Sequence, residues 1–383
     1  MGGEFHPRPI LPVLWQRECR TVAAAIATVG GIQKIGTRDG FHVRLYEDCE
    51  ALLKREPGVQ SVIVIGFEWQ TMVSMIERLR SANKLIVLTN ADTDQMDGYD
   101  SCVTYSRRLI TEQMLDYLTA KQCRRIALVG CDGETAGEQA YADALKAYLA
   151  SHPEISGESF FYRTHLDESF TAFARVYQRF DAVLCPTAFA GVAFLRFCSQ
   201  HALRVPQDFL VASIRDGEIN RYCKPSITSM ALDFAGIGEQ AVGVWKYQQD
   251  PANGSFRMRI AAHGQIVPRE STGEAPLAET FTTVKTNMPV WARGGNLFYK
   301  DPSFQALMQL DCCLQGCDEL DLRIIGLLLA GDSYETICEK LFLSESSLQY
   351  RVRKLFHATA QKSRRGFEAL FQKHFTSSHH FVD

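Results

Sequence analysis

Between about residues 10 and 270, short apolar runs rich in β-formers alternate with longer amphipathic stretches. Runs with the composition of buried strands lie at 10–14, 41–46, 61–66, 84–89, 125–130, 182–185 and 209–214. Stretches with helical periodicity lie between them, at 69–82, 110–121, 138–149, 170–180 and 189–202. Strand, helix and strand at this spacing predict parallel sheets with helices on both faces. Seven or more strands over about 260 residues favour two such sheets rather than one.

The bulk properties are those of an ordinary globular protein. The length of 383 residues is enough for two or three domains, and 46% apolar with 22% charged residues is typical of a globular chain. The net charge of −3 gives no global signal for nucleic acid, so any DNA contact must be local. No apolar run reaches the roughly 18 residues that a membrane span needs, and Arg8, Arg17 and Arg20 interrupt the stretch where a signal peptide would be apolar. We expect a cytoplasmic protein that does not bind membranes.

The 12 cysteines lie mostly inside apolar segments, as Cys123 and Cys185 do, and no pair has C-x-x-C spacing. This pattern predicts small buried side chains in a reducing compartment, with no metal site and no cofactor. The chain has no G-x-G-x-x-G after its first strand, no P-loop and no G-x-S-x-G, so we expect no enzymatic activity.

Composition changes at residues 271–300, where Ser, Thr, Gly and Pro replace the periodic pattern. We interpret residues 274–302 as a linker or a packed arm between an α/β domain at 8–273 and a helical domain at 303–375. In the helical domain, acids open a helix at about 318 and Gly331 ends it. Ser333 then caps a short helix at 334–341, and Ser344 caps a third helix at about 345–358.

These three helices resemble the LuxR-type helix-turn-helix, placed at about 318–360. The residues that carry the resemblance are 320–325, Ala330-Gly331, Ile337, Leu341, 343–348, Val352 and Leu355. The resemblance implies that the third helix enters the major groove of double-stranded DNA. We expect DNA contacts from Ser344, Ser346, Ser347, Gln349, Tyr350, Arg351, Arg353 and Lys354. The alternative is a helical bundle used only for dimerisation. Against it argues a local basic cluster formed by Arg351, Arg353, Lys354, Lys362, Arg364 and Arg365.

A second resemblance covers about residues 8–273. The motifs that carry it are 205–214, 225–230, 237–241 and 266–273, with 123–130 as a matching strand entry. Their order and distances are similar to those in the effector domains of LacI/GalR regulators. The resemblance implies a two-lobed, periplasmic-binding-protein-like fold with a ligand between the lobes and dimerisation through them. Only about eight residues precede the first strand, so we expect the DNA reader at the other end of the chain.

The sequence departs from that family where relatives hold sugar hydroxyls. Arg215 stands where an Asp is usual, and Thr187 lies in a segment that lacks the usual Asn-Asp pair. The effector is therefore either sugar-like or an anion that Arg215 meets, or ligand binding has been lost. Strand ends alone give the following ligand-binding residues: Trp15, Phe67, Glu68, Trp69, Asn90, Asp132, Thr187, Arg215 and Asp216. The structural alternatives are lobe packing for Trp15 and Trp69, and a turn or helix cap for Asp132.

Together these features predict a homodimeric transcriptional regulator in which a small ligand repositions a C-terminal helix-turn-helix. The alternative is a DNA-binding regulator that uses its lobes for dimerisation or partner binding without a ligand.

Overall fold

A computed structural model describes residues 8–16, 22–66, 69–90, 100–134, 136–274, 302–375 and 381. The chain forms two compact units. The first unit comprises the described residues up to Arg107 together with Leu232–Gly264. The second unit comprises Arg108–Ala231, the following residues from Gln265 to 274, and the helical region at 302–375. The predicted linker at 274–302 lies almost entirely outside the described residues.

The first unit is built on a six-stranded sheet in which every pair of neighbouring strands is parallel. The strand order is β11-β5-β4-β3-β1-β2, where the strands are β1 (Ile10–Trp15), β2 (His42–Tyr46), β3 (Ser61–Ile65), β4 (Leu85–Thr89), β5 (Ser101–Thr104) and β11 (Arg259–Ala261). Its helices are α1 (Ala23–Arg38), α2 (Cys49–Arg55), α3 (Trp69–Ser81) and α9 (Phe234–Gln248). All five residues of β3 are buried, as expected for a parallel strand covered by helices on both faces.

The second unit contains the other six-stranded sheet, with the order β12-β10-β9-β8-β6-β7. Its strands are β6 (Arg125–Asp132), β7 (Ser156–Tyr162), β8 (Ala182–Cys185), β9 (Leu210–Ser213), β10 (Thr228–Ala231) and β12 (Gln265–Val267). Only β12 runs antiparallel to its neighbour, β10. The helices that accompany the sheet are α4 (Arg107–Ala120), α5 (Ala136–Ser151), α6 (Leu166–Ala174), α7 (Ala188–Gln200) and α8 (Glu218–Arg221).

The structure confirms the predicted pair of parallel α/β sheets and each of the strands predicted from sequence, with ends that move by at most two residues. The helix predicted at 170–180 differs: it runs from Leu166 to Ala174, and a separate 3-10 turn follows at Tyr177–Arg179. The helix begins early because the Glu168 carboxylate accepts the backbone N–H of His165 at 3.3 Å and of Arg163 at 3.0 Å. The bond from His165, the N-cap residue, satisfies a donor that a helix start leaves free, and the bond from Arg163 fixes the segment that enters the helix.

The helical region consists of α10 (Pro302–Gln315), α11 (Glu319–Leu329), α12 (Tyr334–Leu341), α13 (Glu345–Ala358) and α14 (Arg364–His374). The three helices predicted from capping signals are confirmed. Ser333 Oγ accepts the backbone N–H of Thr336 at 3.1 Å, and Ser344 Oγ accepts that of Ser347 at 3.3 Å. Gly331 has φ +88° just after α11, the left-handed conformation that ends helices.

The helical region shares one hydrophobic core with the second sheet. That core joins side chains of α7 and β8 to buried residues of α10, α11, α13 and α14. Phe304 of α10 meets Phe189 of α7 edge to face at 6.0 Å, and Phe381 stacks on Tyr222 at 5.2 Å. The five helices are therefore held against the second sheet by ordinary core packing.

Among the described residues, no helix combines the length and the apolar composition needed to cross a bilayer. Eleven cysteines are described and all are free thiols, nine of them buried, which confirms that they serve as small core residues.

Candidate functional site

The helix α13 has one buried face and one exposed face. Leu348, Val352 and Leu355 are at most 5% exposed and hold the helix against the rest of the helical region. At 3.6 residues per turn, the opposite face carries polar side chains. Those that are exposed are Ser346, Gln349, Tyr350, Arg353, Lys354 and His357. Tyr350 is 73% exposed, a large exposed fraction for an aromatic side chain.

A tight turn sets the angle between α12 and α13. Phe342 ends α12 in the left-handed conformation, at φ 54°, and the backbone N–H of Leu343 returns to the carbonyl of Cys338 at 3.0 Å. Ile337 of α12 is fully buried in the same core as Leu348 of α13. The two helices are thus joined by a tight turn and share one core, and the second presents its polar face outward.

Two of the basic residues on α13 are engaged within the helical region. Arg351 Nη1 lies 2.9 Å from Asp318 Oδ1 and 2.6 Å from Asp321 Oδ1. Lys354 Nζ lies 2.9 Å from Asp321 Oδ2 and donates to the carbonyl of Gly316 at 2.9 Å. Asp321 is fully buried, so these two cations balance a carboxylate that water does not reach. We call Asp318, Asp321, Arg351 and Lys354 the carboxylate clamp.

The pKa values follow from this pairing. Partial burial lowers the pKa of Arg351 and of Lys354, but the hydrogen bonds and charge of the Asp321 carboxylate outweigh it, so both pKa values lie above their ordinary range. Burial raises the pKa of Asp318, yet the backbone N–H of Asp321 and the Arg351 guanidinium outweigh this and hold that pKa below its ordinary value. All three groups stay charged at neutral pH.

Of the other four cations in the predicted basic cluster, one is engaged within the helical region and three are not. Arg364 donates to the carbonyl of Asp332 at 2.7 Å and lies 2.6 Å from the carboxylate of Glu368. Within the described part of the chain, Arg353, Lys362 and Arg365 are exposed and make no hydrogen bond or ion pair. The free positive charge of this region is therefore smaller than its sequence suggests.

In the first unit, the predicted ligand-binding residues follow the carboxyl ends of the strands. Trp15 is the last residue of β1, and Asn90 follows β4 directly. Asn90 is buried with φ 63°, and its Nδ2 donates to Thr28 Oγ1 at 3.1 Å. Trp69 is the first residue of α3, whereas Phe67 and Glu68 lie outside the described residues.

In the second unit, the structure brings four predicted residues to one edge of the sheet, where β6, β8 and β9 end. We call this the carboxyl edge. Asp132 ends β6; its Oδ1 accepts the backbone N–H of Glu134 at 2.8 Å, which is the arrangement of a turn residue. Thr187 follows β8 and caps α7 by accepting the N–H of Ala190 at 3.1 Å. Arg215 and Asp216 lie in the loop after β9.

The Asp216 carboxylate is engaged by the fold. Its Oδ1 lies 3.0 Å from Nη1 of Arg269, a residue only 4% exposed, and 2.5 Å from Ser229 Oγ. Arg269 Nη1 also donates to the carbonyl of Ile227 at 2.7 Å. A buried arginine needs a carboxylate partner, so Asp216 ties the loop after β9 to the strand and segment behind it.

Sequence reasoning missed Arg269, Asp311 and the role of Asp321. Asp311 lies on α10 and is 7% exposed; burial raises its pKa to about 7, and the nearby Glu218 and Asp216 charges act in the same direction. A signal for Asp311 exists, because it is the only acid in the otherwise uncharged stretch from Pro302 to Gly316. Arg269 carries no comparable sequence signal; it lies within the 266–273 motif, one of those that carry the family resemblance.

Comparison with known proteins finds a likeness in the α/β part of the chain. Residues 115–272 match the family model of a periplasmic binding protein-like domain. No curated protein sequence matches the chain.

Among solved structures, a LacI family transcriptional regulator from Bifidobacterium animalis subsp. lactis is similar, with 17% identity and a TM-score of 0.54; the match covers 71% of this chain and 99% of that one. A PurR family transcriptional regulator from Vibrio parahaemolyticus has 14% identity and a TM-score of 0.54, over 69% of this chain and 100% of that one. A LacI family regulator from Weissella paramesenteroides, solved with bound glucose, has 18% identity and a TM-score of 0.50, over 69% and 98%. The chain therefore combines two α/β units of the periplasmic-binding-protein-like fold with a C-terminal helical region.

Proposed function

We propose that this chain is a transcriptional regulator that binds double-stranded DNA through α13 and senses a small ligand through its α/β units. The observation that carries the proposal is the exposed polar face of α13, held on α11 and α12 by a buried apolar face. A helix that enters the major groove needs one apolar face that packs on its neighbours and exposed donors on the other face. The resemblance to LuxR-type helix-turn-helix domains supports the same reading of α12 and α13.

The proposed DNA contacts follow from chemistry and exposure. Tyr350 and Arg353 are exposed and Gln349 is exposed with its Nε2 donating to Glu345 Oε1 at 3.1 Å; we propose that all three meet base edges, since amide and guanidinium groups can form paired hydrogen bonds there. Ser344, Ser346 and Ser347 lie at the start of α13, where hydroxyl and backbone N–H donors suit a phosphate. Contacts from Arg351 and Lys354 stay a prediction; the clamp gives both a competing role in holding α13.

The ligand half of the proposal rests on the fold. Two of the similar structures are LacI family regulators, one of them solved with glucose. In parallel α/β sheets, ligands bind beyond the carboxyl ends of strands, which is where Thr187 and Arg215 lie. We propose a sugar-like or anionic effector there, with Arg215 as the charged contact. The second candidate is a regulator that binds DNA without a ligand. It is favoured by the ion pair between Asp216 and Arg269, because this pair occupies a carboxylate that a ligand would otherwise contact.

We further propose that the protein works as a cytoplasmic homodimer with no catalytic role. A two-fold dimer would place two α13 helices on half-sites about 34–36 Å apart, so the recovered operator should be palindromic. Light scattering on the purified chain measures the mass directly. A mass of one chain at micromolar concentration contradicts the dimer.

Selection of bound fragments from genomic DNA tests the central proposal. The full chain should enrich a defined duplex, and the triple variant Gln349→Ala, Tyr350→Ala, Arg353→Ala should not. Arg78→Ala is a matched control, since that arginine forms an exposed ion pair with Glu50 in the first unit. Enrichment by the triple variant equal to that by the control contradicts the role of α13. Thermal shift with a panel of sugars and organic anions separates the two ligand hypotheses, because a ligand bound to the native state raises the unfolding temperature.

A further inference from the structure

The short helix α8 begins at the carboxyl edge without a capping side chain of its own. Its N-cap residue is Gly217, which follows Arg215 and Asp216 directly. A helix start leaves backbone N–H groups free, and a side-chain oxygen at the N-cap normally accepts one of them. Glycine offers no such oxygen, so the acceptor must come from elsewhere in the chain.

Asp311 of α10 supplies that acceptor. Its Oδ1 accepts the backbone N–H of Ile219 at 3.1 Å, 92 residues away in sequence. Its Oδ2 accepts from Gln315 Nε2 at 2.7 Å, so both carboxylate oxygens are used. A Cβ atom at Gly217 would lie 3.2 Å from Asp311 Oδ1 and 3.1 Å from the Cβ of Ala188, closer than such contacts normally are. The glycine therefore allows α10 to approach the loop that follows β9.

The C-terminal end of α10, which carries Asp311, also contacts α13. Just after α10 ends, the carbonyl of Gly316 accepts from Lys354 Nζ at 2.9 Å, and Lys354 also pairs with Asp321 in the carboxylate clamp. Leu310 and Leu314 of α10 lie in the same hydrophobic core as Leu348 of α13. One helix thus contacts the carboxyl edge through a buried carboxylate and α13 through core packing and the clamp.

We propose that Asp311 couples the carboxyl edge of the second sheet to α13, so that the state of the 215–221 segment and the binding of DNA affect each other. The proposal rests on the function proposed above and names how that function is regulated. A ligand that moves Arg215 or Asp216 also moves the start of α8, and Asp311 passes that change to α10. Such coupling between sites is reciprocal, so DNA bound at α13 must change the same segment. This reciprocity allows a test that needs no knowledge of the effector.

The test is hydrogen–deuterium exchange of the full chain, with and without a saturating duplex recovered from the genomic selection. In the unsubstituted chain, the duplex should change the exchange rates of the amides at 218–221 by about fivefold or more, the lower end of common coupling strengths. In Asp311→Ala the change should fall below about twofold while the duplex still binds. Asp311→Asn retains an oxygen that can accept from Ile219 and should keep the response.

Asp48→Ala is the matched control. Asp48 caps α2 in the first unit by accepting the N–H of Ala51 at 2.8 Å, so its loss removes a helix cap without touching α10. This variant should keep the full response at 218–221. Equal exchange at 218–221 with and without DNA in the unsubstituted chain overturns the coupling, even if Asp311→Ala does not fold. A full response in Asp311→Ala overturns it as well. Failure to recover any bound duplex is a different outcome, which removes the proposed function itself and the coupling with it.

Discussion

The carboxylate clamp gives a quantitative prediction for Asp321→Asn. Asp321 is fully buried and pairs with Arg351 at 2.6 Å and Lys354 at 2.9 Å. Removing one member of a buried ion pair costs about 3–5 kcal/mol, because the remaining charge is left without a partner. Here Arg351 keeps Asp318 at 2.9 Å, and the side chains of the two cations are 25% and 48% exposed, so the remaining carboxylate and water recover part of that cost. We expect a loss of about 2–3 kcal/mol in the local stability of α11 and α13.

Three of the four tryptophans, Trp15, Trp69 and Trp245, lie in the first unit, and their fluorescence does not report on the helical region. Native-state hydrogen exchange of the α11 and α13 amides does, and the expected loss corresponds to rates about 30- to 150-fold faster. Asp332→Asn is the control, since Asp332 forms a 2.6 Å ion pair with Lys340 whose partners are 21% and 52% exposed. An exposed pair of this kind contributes less than about 1 kcal/mol. Equal acceleration in the two variants refutes the buried-clamp account.

Two further predictions concern the interior of each unit. Burial raises the pKa of Asp311 from 3.8 to about 7, so the folded state holds a proton that the unfolded state has lost, and stability should fall as pH rises from about 4 to 7, by up to about 4 kcal/mol. The difference in unfolding free energy between the unsubstituted chain and Asp311→Asn isolates this pH dependence. Burial lowers the pKa of His374 to about 4, but His374 contributes equally to both proteins and cancels. A free-energy difference that does not change with pH contradicts the prediction. In the first unit, a Cβ atom at Gly31 would lie 2.0 Å from the carbonyl oxygen of Ala235, whereas one at the adjacent Gly30 would meet nothing within 4 Å. Gly31→Ala should therefore destabilise the first unit by about 1–3 kcal/mol in denaturant titrations followed by tryptophan fluorescence, and Gly30→Ala should be neutral or stabilising; equal effects would show that α1 and α9 do not pack this closely.

Elements whose burial follows a clear sequence pattern, either an unbroken apolar run or a regular apolar face, were predictable from sequence. The strand β3 is a run of five buried residues, and α12 and α13 each follow a serine cap. Strands β5, β7, β10, β11 and β12 were not predicted. Of these, β7 is an edge strand with only two buried residues, and β11 and β12 have three residues each, too few to show a period. The helices α1 and α9 were also missed; both are rich in Ala and Gly, whose small side chains give weak contrast between faces.

The exposed face of α13 was predictable for the same reason, but its charge was not. A sequence pattern shows which side chains share a helix face, and it placed Arg351 and Arg353 equally in the basic cluster. It does not show that a carboxylate 30 residues earlier lies within 2.6 Å of Arg351. Asp321 looked like an ordinary acid in the first turn of a helix, which is where acids are common. Long-range ion pairs of this kind depend on how helices pack, and no local signal encodes them.

The salt dependence of DNA affinity tests the central claim most directly. The duplex recovered by selection is titrated with the full chain and with Arg353→Ala and Arg78→Ala at several salt concentrations. A DNA contact made by the free Arg353 predicts about 1–3 kcal/mol of lost affinity if it meets a base, or a salt slope reduced by about one if it meets a phosphate. Arg78→Ala should leave the affinity and the slope unchanged, because that arginine forms an exposed ion pair with Glu50 in the first unit. If Arg353→Ala binds the duplex with the affinity and slope of the unsubstituted chain, α13 is not the DNA-binding helix and the account is wrong.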